Sequence, residues 1–178
     1  MLIALGLIVL GWAVFAAVHA EAYSGFGMYY ATPSWDQTLS PSMRFLVLTN
    51  MNSEAVLDKE TGLVWQKNLN PSVWDWYSAQ NYCNNLYLGG RKGWRLPTLQ
   101  ELESLVDSTH SNPALPISHP FTNVFSFFYW TATTSAQNTS NAWLVKMSDG
   151  SSESDGSKNT GLGFPAWCVR GGQGTDYQ

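Results

Sequence analysis

Hydrophobic residues recur along this chain first as an unbroken block, then with strand and helix periods. Leu2–Val18 contains no charged or polar side chain and is the only such stretch; His19-Ala20-Glu21 ends it. Residues 21–42 are rich in Gly, Tyr, Ser and Pro, follow no period, and read as an arm or linker. Arg44–Thr49 (RFLVLT) is a short apolar run of strand type. Ala55–Leu57 and Leu63–Gln66 flank the turn-rich Asp58-Lys59-Glu60-Thr61-Gly62 and predict a β-hairpin. From Asp75 the spacing becomes helical. Trp76, Ala79, Cys83 and Leu86 form one stripe, the polar Ser78, Gln80, Asn81 and Asn84 lie off it, and Gly89-Gly90 is the expected stop. Thr98-Leu99-Gln100-Glu101 opens a second helix with a capping box, in which the Thr98 hydroxyl accepts from the amide of Glu101 and the Glu101 carboxylate reaches back. Leu99, Leu102, Leu105 and Val106 supply its apolar face.

Beyond Val106 the helical period is lost. Ser108–Pro120 holds three prolines and two histidines and is expected to be a structured loop. Phe125–Thr131 and Asn141–Met147 predict strands, Asp149–Gly163 a long loop, and Ala166–Arg170 a last strand. Strands first, two helices in the middle and strands last make the fold class α+β. The expected organisation is a signal peptide or retained apolar helix at 1–20, an arm at 21–42, a domain at 43–172 and a tail at 173–178.

Composition narrows the function. Charged residues are 12% of the 178, about half the usual share of roughly 25%. Ser, Thr and Asn number 44, so neutral hydrogen-bonding groups replace the missing charge. Nine Lys+Arg stand against thirteen Asp+Glu, a net −4, and no basic run exceeds Arg91-Lys92. That argues against nucleic acid, whose phosphates need clustered cations. A chain that is 44% hydrophobic with nine Trp buries a sizeable core, and its neutral surface suits an exported protein.

Val18 and Ala20 are the small residues a signal cleavage before Glu21 requires. The apolar run is also long enough for a membrane span, so membrane contact through residues 2–20 is the alternative. In length it resembles the amino-terminal helix of type IV pilins, although Ala4 sits about where pilins carry a Glu. A retained helix would make Trp12 and Phe15, with Tyr29, Tyr30 and Trp35 of the arm, the candidate assembly contacts. Cys83 and Cys168 are the only cysteines. In an exported chain such a pair reads as one disulfide. Closing a loop of about 86 residues, it is worth roughly 4–5 kcal/mol in the chain-entropy picture.

The segments LDKETGLVWQKN (57–68), WDWYSAQNYCNNL (74–86), GGRKGWRLPTLQELESLVD (89–107), YWTATT (129–134), AWLVKMSDG (142–150) and WCVRGG (167–172) together resemble the carboxy-terminal domain family of the Legionella collagen-like adhesin. The resemblance covers roughly residues 43–172. It implies a C-type-lectin-like fold with two helices, mixed or antiparallel short strands and long loops. It also implies that a disulfide ties a helix to the final strand, which Cys83 and Cys168 fit. Trp65, Trp94, Trp130, Trp143 and Trp167 fall in the family motifs and are expected in the core.

No enzymatic site is legible. His110 and His119 lie in the Pro-rich loop, with structural contacts as their expected role. Formylglycine-generating relatives, by resemblance, use a cysteine pair, and none is left here beyond the staple. No cofactor and no metal site are expected. Asp149, Glu153 and Asp155 share one Gly/Ser-rich loop, chemistry that calcium could use, but their spacing matches no EF-hand. Sugar binding without metal needs aromatic faces and neutral hydrogen-bonding groups. The candidates are Tyr129, Trp130, Thr133, Asn138, Asn141, Asp149, Asp155 and Phe164. Arg91, Lys92 and Arg95, with Lys67 nearby, are the candidate polyanion contacts. The expectation is a non-catalytic, exported, adhesin-like binding module whose partner is an extracellular glycan or protein. The alternative is a subunit of a surface polymer that partners copies of itself.

Overall fold

The computed structural model describes residues 39–159, 161 and 163–171. The apolar block 1–20, the arm up to residue 38 with Tyr29, Tyr30 and Trp35, and the tail at 173–178 lie outside the described residues. So do Trp12 and Phe15.

A single helical turn, α1 (Pro41–Arg44), runs directly into β1 (Phe45–Val47). The expected hairpin follows as β2 (Ala55–Asp58) and β3 (Leu63–Gln66), paired antiparallel with Ala55 opposite Gln66 and Asp58 opposite Leu63. Every residue of both strands is buried, because the pair lies between two apolar clusters. Ala55, Leu57 and Val64 face one, with Trp76, Ala79, Cys83 and Trp94. Val56, Leu63 and Trp65 face the other, with Leu102, Leu105, Tyr129 and Trp167. The alternation of the strands thus sorts apolar residues onto two faces rather than into core and solvent.

Helix α2 (Trp76–Asn85) is capped by Asp75, whose side chain accepts from the amide of Ser78 at 2.8 Å. It buries Trp76, Ala79 and Cys83, three of the four residues of the predicted stripe. It stops four residues before the predicted glycines. Leu86 is its extended C-cap, and Gly89-Gly90 instead form the corner of a tight turn with positive φ, closed by two hydrogen bonds between Leu88 and Arg91. β4 (Trp94–Arg95) then leads to α3 (Leu99–Glu103), whose capping box forms as expected. Leu105 is buried just past the helix end.

The second half forms a separate antiparallel sheet of β5 (Phe128–Thr134), β6 (Asn141–Lys146) and β7 (Ser152–Ser157), in the order β5-β6-β7. β5 starts three residues later than the apolar run predicts, since Phe125 and Phe127 remain exposed ahead of it. β7 occupies what reads as loop in the sequence. Its residues SESDGS carry no apolar pattern, and the strand exists through its pairing with β6. The closing strand β8 (Val169–Arg170) inserts between β3 and β4, giving a first sheet of order β1-β2-β3-β8-β4. Every pair of named strands is antiparallel. The fold is α+β. Cys83 on α2 is bonded to Cys168, immediately before β8, with Cα atoms 5.4 Å apart. Among the described residues, no helix is long and apolar enough to cross a membrane.

Candidate functional site

The β5–β7 sheet carries a concave cleft of about 310 Å³. Its apolar wall is Phe127, Phe128, Leu144 and Phe164, and its polar wall is Glu153, Asp155 and Ser157 of β7. Phe164 is central. Its ring lies 5.8 Å from Phe127, 5.9 Å from Phe128 and 5.0 Å from Trp130, centroid to centroid. The chain around it is pinned by a two-hydrogen-bond bridge to Trp74, at 3.1 and 3.0 Å. Gly163 is obligatory in that bridge, because a Cβ there would stand 2.6 Å from the backbone nitrogen of Trp74.

Tyr129 and Trp130, read from sequence as sugar-stacking candidates, are both 0% exposed and present no face to a ligand. Their place is beneath the cleft. Trp130 donates from Nε1 to the Trp74 carbonyl at 2.8 Å and from its backbone to Pro165 at 3.1 Å, so it holds the Phe164 segment from both sides. The Tyr129 hydroxyl accepts from the amide of Phe125 at 2.7 Å, and burial pushes its phenol up to about 12. Trp65, Trp94 and Trp167 are core residues as expected, while Trp143 is half-buried.

On β7, Glu153 lies opposite Leu144 and Gly156 opposite Ala142. Ser154 and Asp155 therefore share the place opposite Trp143, a bulge that brings Asp155 onto the cleft wall beside Glu153. Both carboxylates are exposed, and among the described residues neither has a hydrogen-bond or ion-pair partner.

The other candidates are engaged elsewhere. Asp149 is no part of the cleft wall. The Ser151 hydroxyl and amide and the Lys146 ammonium hold its carboxyl well below the usual carboxylate range, with Lys146 at 3.0 Å. The three carboxylates considered for calcium do not gather: among the described residues no three His, Cys, Asp or Glu side chains could share a metal ion. Thr133 is buried, its hydroxyl accepting from the amide of Leu99 at 2.9 Å. Asn138 is exposed at the β5–β6 turn, accepting from the amide of Ser140 at 3.1 Å, and half-buried Asn141 opens β6.

The candidate polyanion cluster is broken up by Arg95. It forms a fork with Glu101, 2.7 Å on each side, and donates to the carbonyl of Gly171 at 2.6 Å, which leaves Arg91 and Lys92 as its exposed members. His110 makes a structural contact of the expected kind, pairing through Nδ1 with Asp107 at 3.0 Å. Half-buried His119 stacks on Phe121, and burial lowers its imidazole below the ordinary 6.5.

Phe127 and Phe128 are the cleft residues that sequence reasoning missed. Phe127 is exposed just ahead of β5 and Phe128 opens the strand, so the apolar run that contains them does not distinguish them from core residues.

An α+β domain closed by one disulfide and carrying an aromatic, acidic cleft is the class these features define. The family model described as the Lcl C-terminal domain matches residues 54–170, and the chain belongs to that family. This is the family its motifs resemble. None of the curated proteins compared with the chain matches it.

Proposed function

We propose that this is an exported, non-catalytic binding module of the cell envelope or cell surface, adhesin-like, which holds an extracellular glycan in the β5–β7 cleft. The observation that carries the reading is the cleft itself. Three phenylalanine rings give the opening an apolar wall for the C–H surface of a sugar, and the unpaired carboxylates of Glu153 and Asp155 offer hydrogen-bond acceptors at the same opening. Membership in a family named for an adhesin supports a surface role. The disulfide from a helix to the closing strand, with the first and last strands of the domain in one sheet, supports a C-type-lectin-like arrangement.

The test is a screen of the full chain against immobilised glycans and matrix proteins, repeated with Phe164→Ala. Binding to a glycan that Phe164→Ala abolishes, with the ligand recovered chemically unchanged, is the expected result. Binding indifferent to Phe164→Ala, or turnover of the bound glycan, would overturn the reading.

A further inference from the structure

We propose that the cleft selects a protonated amine carried on a sugar ring, the amino sugar of a deacetylated glycan. The inference rests on the binding-module reading and adds the chemistry of the ligand.

The centroids of Phe127, Phe128 and Phe164 are 5.7, 5.8 and 5.9 Å apart, close to an equilateral triangle. An ammonium seated at the mouth of this triangle comes within roughly 6 Å of the three centroids, the range in which a ring that turns its face to the charge attracts it. Glu153 and Asp155 stand on the facing wall, exposed and without partners among the described residues. Lys146 stands on the aromatic side, 5.6 Å from the centroid of Phe128, and its charge is already met by Asp149 at 3.0 Å. The opening therefore presents two unmet negative charges against an aromatic surface.

Residues 1–38 contain Glu21 and Asp36 but no Lys or Arg, and residues 172–178 contain Asp176 and again no Lys or Arg. Among the described residues no Lys or Arg meets the two charges, which leaves them open to a cationic ligand. A sulfated or carboxylated polymer is repelled here. A neutral N-acetylated sugar covers the rings yet gives the carboxylates only neutral hydrogen bonds, about half as strong as charge-assisted ones. An opening of about 310 Å³, at the lower end of small-ligand pockets, suits a sugar ring better than a single lysine side chain.

The experiment is calorimetry on the detergent-solubilised full chain at mildly acidic pH, with three probes: a β-1,4-linked glucosamine trimer, the same trimer fully N-acetylated, and a lysine tripeptide. The glucosamine trimer is expected to bind at least about tenfold more tightly than the N-acetylated one. That preference should vanish in Glu153→Gln/Asp155→Asn, whose surface positions leave near-UV dichroism unchanged. Equal affinity for the two trimers, a preference that survives in the double variant, or a tripeptide that binds as tightly as the trimer overturns the proposal. A neutral or anionic glycan bound in a Phe164-dependent way overturns the amine inference alone and leaves the binding-module reading standing.

Discussion

Arg44 lies with its guanidinium buried, donating from Nε to Asp58 Oδ1 at 2.9 Å and from Nη2 to Oδ2 at 2.7 Å. The same Nη2 also reaches the carbonyl of Ser104 at 2.7 Å, and the exposures of the two side chains are 2% and 0%. The pair joins the start of β1 to the first hairpin and to the end of α3. Removing one partner leaves a charge buried alone, so Arg44→Ala is expected to cost about 3–5 kcal/mol in denaturant unfolding. Arg44→Met/Asp58→Leu removes both charges together and should recover part of that loss, the rest reflecting the hydrogen bonds from the Glu60 amide and to the Ser104 carbonyl that go with them. Nothing in the sequence marks this pair: Arg44 reads as the polar edge of an apolar run and Asp58 as a turn residue. The same limit applies to Tyr129 and Trp130. An aromatic residue in a strand carries no label saying whether its ring meets a ligand or supports the residue that does.

At the scale of elements, legibility follows how local the cause is. The Asp75 cap and the Thr98–Glu101 box are made within four residues, so both helix starts can be read directly. The whole of β7 depends on its hairpin partner β6, and the end of α2 gives way to the turn between Leu88 and Arg91. β7 in particular is a strand because Asn141–Val145 offers it an edge, and its polar sequence gives no other cause. Phe164 is legible as a candidate cleft residue because a lone ring stands out in a polar stretch, and Asp155 because it is one of three carboxylates in that stretch. Phe127 and Phe128 were masked by the apolar run around them. The bridge between Phe164 and Trp74 gives a prediction at this scale. In Gly163→Ala the added methyl meets backbone, which cannot rotate away, so the Phe164 segment must shift. The expected outcome is a loss of about 1–3 kcal/mol in thermal unfolding. Ligand affinity measured on the same variant should fall with it.

For the whole molecule, the α+β class follows from the order of elements, whereas the arrangement of the two sheets depends on long-range pairing, above all the insertion of β8 between β3 and β4. The disulfide is legible from cysteine number alone, and its ends prove to be α2 and the approach to β8. Reduction is expected to lower stability by about 4–5 kcal/mol, which equilibrium unfolding with and without a reductant would measure. The position of this bond has a mechanical consequence. All the cleft residues lie between Cys83 and Cys168, a separation of 85 residues. Tension applied at the two ends of the domain crosses directly from one cysteine to the other. Peeling β1, β2 and β3 from their sheet can then lengthen only the segments outside the bond, while roughly 300 Å of contour stays locked behind it. A pull on the two ends of this domain would therefore yield at its margins first and leave the segment that carries the cleft closed.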